Sequence, residues 1–328
     1  MGRICRAALV IFFLACGLCA QDPACKTRSV TVGILDTHGV VPQDLTVNAF
    51  IARLGQKPLE ITGARLYSGA KRVAILIDTS GSMRKDLHAS GKSNLAYWVA
   101  ADAIERLPKD VSIAVVGFSD HVHGTLDFSS SREQLADEIA RRRKSAENSP
   151  HGRTALMDAV KYVIDHIPDA GPGDSIYVVT DGEENASRVG HSPLERELGA
   201  AGVRLSVFLM QDFLFNGELF PGTDEVLRLA KATGGTVIEI HPQIHGTGTS
   251  GTTENFSIPP ERQQVITDEL TVLYRQTARP YLFDLKLPSE LKKPHKWKLE
   301  VADDQLRKST YVFYPSEIFP CGTASKKP

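Results

Sequence analysis

The chain has 328 residues, of which 42% are hydrophobic and 23% charged, and its formal net charge is -1 at pH 7. A chain of this length and composition folds into one large or two modest globular domains with hydrophobic cores. The near-zero charge gives no attraction to nucleic acid or anionic lipid, which argues against a nucleic-acid-binding protein.

The N-terminus has the pattern of a secretory signal peptide, which we assign to residues 1–20. Arg3 and Arg6 precede an apolar block over 7–20, and polar residues follow. The block is too short to span a membrane and has the length of a signal-peptide core. Cleavage after this block and lipid anchoring at Cys16 are both open. We therefore expect bacterial export to the periplasm, the cell surface or the medium, with no transmembrane segment in the mature chain.

Two cysteines remain after the signal peptide, Cys25 and Cys321. In an exported chain such a pair suggests one disulfide bridge, which would contribute on the order of 5 kcal/mol by closing a long loop. A pair of unrelated free thiols is the alternative. No Cys/His spacing typical of a zinc site is present.

Residues 21–71 are predicted to be an N-terminal β-strand region. Three runs within 29–68 are rich in β-branched residues and are separated by Gly, Pro and Asp. This is the pattern of strands joined by turns.

Strands and helices alternate over residues 72–277. The predicted strands are continuous apolar runs, which indicates burial on both faces. Strands cover 73–78, 111–118, 175–181, 204–210 and 236–240, and helices cover 94–107, 131–144, 154–167, 193–202, 223–235 and 260–276. The alternation predicts an α/β fold with a doubly wound, mostly parallel sheet.

Residues 278–328 contain three more strand-like runs, similar in character to those near the N-terminus. We predict that 21–71 and 278–328 pack together as one small β-domain beside the α/β domain. The segment 241–260, which precedes the last helix, is rich in Gly, Thr and Ser and is predicted to be a flexible loop.

Oxygen-bearing side chains follow two of the predicted strands. Asp78 ends the first strand and is followed by Ser80 and Ser82, Asp181 ends another strand, and Thr154 opens a helix after a loop. Because ligands bind outside the carboxyl ends of strands in open α/β sheets, we expect these five side chains to converge. Oxygen ligands favour a hard divalent cation such as Mg²⁺.

The make-up of this set indicates a docking metal rather than a purely structural one. If one carboxylate binds directly and hydroxyls fill the other positions, the ion keeps much of its positive charge. It then accepts an acidic group from a partner at an open position. A cage of three or four carboxylates would be neutralised and closed.

Three motifs resemble those of von Willebrand factor type A domains. They are DTSGS at 78–82, GRTALMDAV at 152–160 and VVTDGEENAS at 178–187. DTSGS alone is a weak signal, but the three motifs agree with the family in order, spacing and strand–helix rhythm. The whole pattern, including the flanking β-runs, also resembles exported bacterial proteins with this domain that are common in acidobacteria. Arg153 replaces a glycine frequent in the family, which adds bulk but keeps the threonine.

The resemblance implies a metal-ion-dependent adhesion site that binds Mg²⁺, or Mn²⁺ or Ca²⁺. By resemblance, Asp78, Ser80 and Ser82 are direct ligands, and Thr154 and Asp181 bind directly or through water. All five positions of the family pattern are filled in this sequence.

Simpler interpretations exist for these residues and their neighbours. DTSGS alone fits a turn and a helix N-cap. Glu183 and Glu184 are either additional ligands or solvated loop charges, and we favour loop charges. His121 and His123 invite a metal site, but the sequence places no third ligand, so we interpret them as surface or hairpin residues.

We predict an exported, non-enzymatic protein-binding or adhesion module whose bound cation is completed by an Asp or Glu of a protein partner. A structural envelope scaffold with a fold-stabilising metal is the alternative, and a metal-dependent hydrolase is a distant one. The sequence has no GxSxG elbow, no Walker A loop and no GxGxxG after the first strand, which argues against the corresponding enzyme classes.

Overall fold

The computed structural model describes residues 26–83, 92–146, 152–210, 222–240, 243–245, 255–257 and 260–320. The predicted signal peptide and both cysteines of the proposed bridge, Cys25 and Cys321, lie outside the described residues. So does most of the loop predicted at 241–260, whose described parts are two short antiparallel strands, β10 (Gln243–His245) and β11 (Asn255–Ser257).

The central part of the chain forms a six-stranded sheet in the order β6-β5-β4-β7-β8-β9. Neighbouring strands are parallel except at one edge, where β6 pairs antiparallel with β5. The strands are β4 (Lys71–Asp78), β5 (Val111–Phe118), β6 (Val122–His123), β7 (Asp174–Thr180), β8 (Arg204–Met210) and β9 (Val237–Ile240). The α/β class is thus confirmed, with a sheet that is mixed rather than wholly parallel.

Two hydrophobic clusters cover the two faces of this sheet, because alternate side chains of each strand point to opposite faces. On β4, Ile75 and Ile77 pack with α1, α2 and α6, whereas Ala74 and Leu76 pack with α3, α4 and α5. The helices are α1 (Lys92–Arg106), α2 (Arg132–Ala146), α3 (Leu156–His166), α4 (His191–Ala201), α5 (Thr223–Thr233) and α6 (Pro260–Ala278).

Strands from both flanks of the chain form a second sheet of seven antiparallel strands, in the order β14-β1-β12-β3-β2-β13-β15. They are β1 (Thr27–Asp36), β2 (Phe50–Leu54), β3 (Lys57–Leu66), β12 (Tyr281–Lys286), β13 (His295–Val301), β14 (Thr310–Phe313) and β15 (Glu317–Ile318), and the short helix α7 (Asp304–Lys308) precedes β14. This sheet has its own core and more strands than the central sheet, so it is not small. The domain boundaries 21–71, 72–277 and 278–328 stay a prediction.

The C-terminal end of α6 contacts both sheets. The Gln276 side chain packs against Gly33 of β1, where an added Cβ would lie 3.1 Å from Gln276 Cγ. Arg204 of β8 donates a hydrogen bond to the Gln276 carbonyl (3.2 Å), and the Tyr177 and Thr277 hydroxyls lie 2.7 Å apart. These contacts join the flanking sheet to the α/β part.

Among the described residues, no helix combines the length and the apolar character that a membrane span requires.

Candidate functional site

Asp78 ends β4 at the carboxyl edge of the central sheet and is 1% exposed. Its Oδ1 accepts a hydrogen bond from the Ser80 backbone N–H (2.9 Å), and its Oδ2 accepts one from the Thr180 hydroxyl (2.6 Å). Burial, and next the nearby Asp181 carboxylate, raise the pKa of Asp78 to about 7. An additional cation beside Asp78 would therefore stabilise its charged form at neutral pH.

The two serines lie on the short turn that follows Asp78. The Ser80 and Ser82 Oγ atoms are 3.1 Å apart, and the Ser82 hydroxyl donates to Asp181 Oδ1 (3.2 Å). Ser80 is fully buried, whereas Ser82 is half-buried. The hydroxyls thus bridge the loop after β4 to the loop after β7.

Asp181 follows β7 directly and forms a buried ion pair that the sequence did not indicate. Lys92 Nζ lies 2.9 Å from Asp181 Oδ2, and both side chains are at most 1% exposed. Lys92 Nζ also donates to the Ser82 carbonyl (3.4 Å). Because Lys92 stands in a polar stretch at the start of α1, its sequence context gives no signal of this burial.

Thr154 lies in the loop before α3 and is fully buried. Its backbone N–H donates to Asn185 Oδ1 (2.9 Å), and its carbonyl accepts from the N–H groups of Asn185 and Ala186 (both 3.0 Å). The Gly81 N–H donates to the Gly152 carbonyl (3.1 Å), which ties this loop to the serine turn. Three loops from distant parts of the sequence are thus bonded together at one edge of the sheet.

The Thr154 hydroxyl has no hydrogen-bond partner among the described residues. An unsatisfied buried hydroxyl costs about 1–3 kcal/mol, so such a group usually faces a ligand, an ion or water. The set to which it belongs consists of two carboxylates and three hydroxyls. This donor chemistry fits a hard divalent cation such as Mg²⁺, Mn²⁺ or Ca²⁺.

The two glutamates after Asp181 have structural contacts. The Glu184 carboxylate accepts hydrogen bonds from the Met157 N–H at the start of α3 (3.0 Å) and from the Ser187 N–H (2.9 Å) and hydroxyl (2.7 Å). The interpretation of Glu184 as a solvated loop charge was therefore wrong, because it is half-buried and caps α3. Glu183 accepts a hydrogen bond from the Asn185 side chain (2.8 Å).

Thr180 and Asn185 are further residues that sequence reasoning missed. Thr180 bonds Asp78, and its Oγ1 also accepts from the Gly182 N–H (3.0 Å), so it holds both aspartate loops. Asn185 fixes the Thr154 loop. Both stand within the VVTDGEENAS motif, which was the available signal.

Residues 73–184 match the family model of the von Willebrand factor type A domain. The matched segment contains all five oxygen-bearing residues discussed above and none of the seven strands of the flanking sheet. Comparison with curated proteins found no match.

Three solved structures are among those that match this chain, each at low sequence identity. The human COPII-coat protein Sec24c is 10% identical with a TM-score of 0.46, and the match covers 78% of this chain and 46% of that one. BatB from Bacteroides thetaiotaomicron is 17% identical with a TM-score of 0.41 over 62% of this chain and 98% of that one. A von Willebrand factor type A protein from Catenulispora acidiphila is 12% identical with a TM-score of 0.43 over 89% and 72%. The chain thus spans less than half of Sec24c, and no functional property is transferred from these structures.

Proposed function

We propose that this chain is an exported, non-enzymatic protein-binding module in which a divalent cation at the carboxyl edge of the central sheet docks an acidic side chain of a partner. The proposal is supported chiefly by the Thr154 hydroxyl, which is buried and has no hydrogen-bond partner in the part of the chain that the structure describes. Its loop is bonded to the serine turn and to the loop after Asp181. A cation would give the Thr154 hydroxyl a partner that the described residues do not supply. It would also offset the charge of the buried Asp78 carboxylate, which otherwise accepts hydrogen bonds from two neutral groups.

In this proposal each residue has a distinct task. Asp78, Ser80 and Ser82 supply direct ligands, and Thr154 and Asp181 bind directly or through water. Lys92 already offsets the charge of Asp181, so the ligand set supplies little more than one uncompensated negative charge. The bound cation supplies the electrostatic attraction for a partner's carboxylate. Ser82, the half-buried member, marks the side from which that carboxylate approaches.

The proposal is tested by partner capture from the native cell envelope with immobilised protein in Mg²⁺ or in chelator. We expect Asp78→Ala and the chelator to abolish capture of the same partner while the protein stays folded, which circular dichroism verifies. Asp165→Ala is the matched control, because Asp165 is a carboxylate on α3 that pairs with Lys161 and is not part of the site. Capture that persists in chelator and in Asp78→Ala would contradict the proposal.

A second candidate is an envelope scaffold in which the metal only stabilises the fold. It is favoured by one observation, namely that four of the five side chains are at most 2% exposed. In that case removal of metal unfolds the protein, and no partner is lost before unfolding. Turnover of a panel of phosphoesters by the purified chain would instead favour a metal-dependent hydrolase.

A further inference from the structure

A second group of metal-binding side chains lies in the hairpin between β5 and β6. Asp120 and His121 form the turn of this hairpin, and His123 ends β6. The sequence placed no third ligand beside the two histidines. The structure provides one, because ligand atoms of Asp120, His121 and His123 all lie within 4.8 Å of one another.

The three side chains already contact one another or a neighbouring hydroxyl. His121 Nδ1 lies 2.6 Å from Asp120 Oδ1, and His123 Nε2 lies 2.8 Å from Ser119 Oγ. The two imidazole rings meet edge to face, with their centroids 4.3 Å apart. The pKa of Asp120 is lowered, mainly by the hydrogen bond from His121, and the carboxylate is therefore kept in its charged form.

The backbone that carries these side chains is held by hydrogen bonds on both sides. The Ser119 N–H donates to the His121 carbonyl (2.9 Å), which closes the hairpin turn. The Ser119 carbonyl accepts from the Ala155 N–H (2.7 Å), next to Thr154. Gly152, whose φ is +93°, lies against Asp120, since an added Cβ would be 3.4 Å from Asp120 Cγ. The hairpin is thus fixed to the loop that carries Thr154.

We propose that Asp120, His121 and His123 form a second metal site, for a borderline cation of the Zn²⁺ class. Two imidazoles and one carboxylate suit Zn²⁺, whereas Mg²⁺ prefers oxygen ligands alone. Three protein ligands leave one tetrahedral position for water or for a group of a partner. This inference does not rest on the proposed function, because its ligands are separate from the five oxygen-bearing residues.

The side chains have the freedom to close around such an ion. Ligand atoms about 2.0–2.1 Å from a tetrahedral Zn²⁺ lie roughly 3.4 Å from one another, so no separation has to shorten by more than about 1.4 Å. The side chains of His121 and Asp120 are 69% and 54% exposed, so rotation about their side-chain bonds meets little packing. His123 is half-buried, so its side chain has the least freedom to move, and the other two side chains would rotate towards it.

The test is a Zn²⁺ competition titration of the full chain against a chromophoric chelator. We expect one Zn²⁺ per chain in the micromolar range or tighter, and at least tenfold weaker binding in His121→Ala, His123→Ala and Asp120→Asn. Circular dichroism verifies that each variant is folded. Co²⁺ in place of Zn²⁺ provides a second readout, since visible absorption of a four-coordinate site appears in the wild type and is lost in His121→Ala.

Two control variants separate this site from other causes. His166→Ala removes an exposed histidine on α3 that bonds the Tyr162 carbonyl and has no role in the hairpin. Asp78→Ala disrupts the five-residue oxygen site. Both should keep the wild-type Zn²⁺ affinity. No Zn²⁺ binding by the wild type, or equal binding by wild type and the His121→Ala/His123→Ala double variant, would overturn the inference. If the hairpin does not bind Zn²⁺ but Asp78-dependent partner capture is intact, this inference is wrong and the proposed function is unaffected.

Discussion

Thr154 and Thr180 show how differently two buried threonines of the same sheet edge are used. The Thr180 hydroxyl donates to Asp78 and accepts from Gly182, so its hydrogen-bonding capacity is used within the protein. The Thr154 hydroxyl has no such partner among the described residues. We attribute the difference to a ligand for which Thr154 is kept available.

Thr154→Val tests this role, because valine keeps the shape of threonine and removes the hydroxyl. We expect a free energy of unfolding in chelator within about 1 kcal/mol of wild type, since the lost hydroxyl had no partner. Mg²⁺ should stabilise this variant much less than the wild type. The apparent affinity for Mg²⁺ that is derived from this stabilisation should be roughly tenfold weaker or more. Urea unfolding with and without Mg²⁺ measures both quantities.

Thr236→Val is the matched control for this substitution. The Thr236 hydroxyl is also buried without a partner in the described part of the chain, but it lies directly before β9, an outermost strand, three strands away from β4. Its removal should leave the Mg²⁺ effect unchanged. Equal Mg²⁺ stabilisation in Thr154→Val and wild type would contradict a ligand role for Thr154.

Lys92 provides the second prediction at this scale. In Lys92→Met the Asp181 carboxylate loses a buried partner. We therefore expect the free energy of unfolding, measured in chelator, to fall by about 3–5 kcal/mol. Mg²⁺ should recover a larger share of stability than it adds to the wild type, because the cation then compensates Asp181 as well. Thermal or chemical unfolding at several Mg²⁺ concentrations gives the comparison.

Lys161→Met is the control, since Lys161 of α3 forms partly exposed ion pairs with Asp165 and with Glu197 of α4. A pair of this kind is worth about 0–1 kcal/mol. If Lys92→Met costs no more than Lys161→Met, the buried ion pair has no structural importance and the charge argument for the cation fails.

Most of the oxygen-bearing residues of the candidate site could be predicted from the sequence. Lys92, whose positive charge pairs with Asp181, could not. Asp78, Ser80 and Ser82 stand together in one motif at the end of an apolar strand, so their position at the sheet edge follows from sequence alone. Lys92 reaches Asp181 only through the packing of α1 on the sheet. Glu184 likewise looks like a solvated charge until the start of α3 is placed against it.

At the scale of elements, the loop after β7 depends on Gly182. Its φ is +88°, a left-handed conformation that favours glycine, and an added Cβ would lie 2.6 Å from Thr223 Oγ1 and 2.9 Å from Leu209 Cδ1. The same loop carries Asp181 and the cap of α3. Its path is therefore fixed by both backbone conformation and close packing.

Gly182→Ala should be strongly destabilising and should also weaken Mg²⁺ binding, because the loop must move away from α5. Gly55→Ala is the control, since Gly55 also has positive φ (+60°) but nothing within 4 Å of an added Cβ. We expect the free energy of unfolding to fall by about 1–2 kcal/mol in Gly55→Ala. In Gly182→Ala it should fall by about 1–3 kcal/mol more, because the added Cβ overpacks the loop. Urea unfolding measures both, and equal losses would refute the packing argument.

The boundaries of elements were predicted well where hydrophobic periodicity decides them and less well where loop contacts do. The helix predicted at 94–107 is α1 (Lys92–Arg106). The helix predicted at 154–167 begins later, at Leu156, because the Thr154 carbonyl accepts from the N–H groups of Asn185 and Ala186. The Asp158 N–H donates to the Ser187 hydroxyl instead of to Thr154. Such contacts between distant loops leave no periodic signal in the sequence.

For the whole molecule, the two sheets are joined by contacts at several points. Besides α6, the Thr31 hydroxyl of β1 donates to the carbonyl of Pro172, which precedes β7 of the central sheet (3.2 Å). The Phe319 ring packs on Gly199 of α4, where an added Cβ would lie 2.1 Å from Phe319 Cδ2. We therefore expect the two parts to unfold together.

The two tryptophans test this cooperativity, because Trp98 lies on α1 and Trp297 on β13 of the flanking sheet. Trp98→Phe and Trp297→Phe each leave one fluorescent reporter of one part. If the parts unfold as a unit, the urea transition of each variant, followed by fluorescence, coincides with its own transition followed by circular dichroism. A fluorescence midpoint that departs from the circular dichroism midpoint in either variant would contradict one cooperative unit.

The general architecture was accessible from the sequence, but the strand order was not. Alternating strands and helices predicted the α/β class, and the strand-like runs at both ends predicted a second set of strands. Nothing in the sequence indicates that β1 lies between β12 and β14, because these strands have similar compositions. Their order and register follow from tertiary packing, including that of α6 against β1.

In the proposed function, five oxygen-bearing side chains hold one hard divalent cation. Isothermal titration calorimetry of the chain with Mg²⁺ tests it most directly, because imidazole ligands of the hairpin do not favour this ion. We predict one Mg²⁺ bound per chain in the wild type and no measurable binding in Asp78→Ala. Equal Mg²⁺ binding by the two proteins, or none by the wild type at millimolar Mg²⁺, would contradict the account.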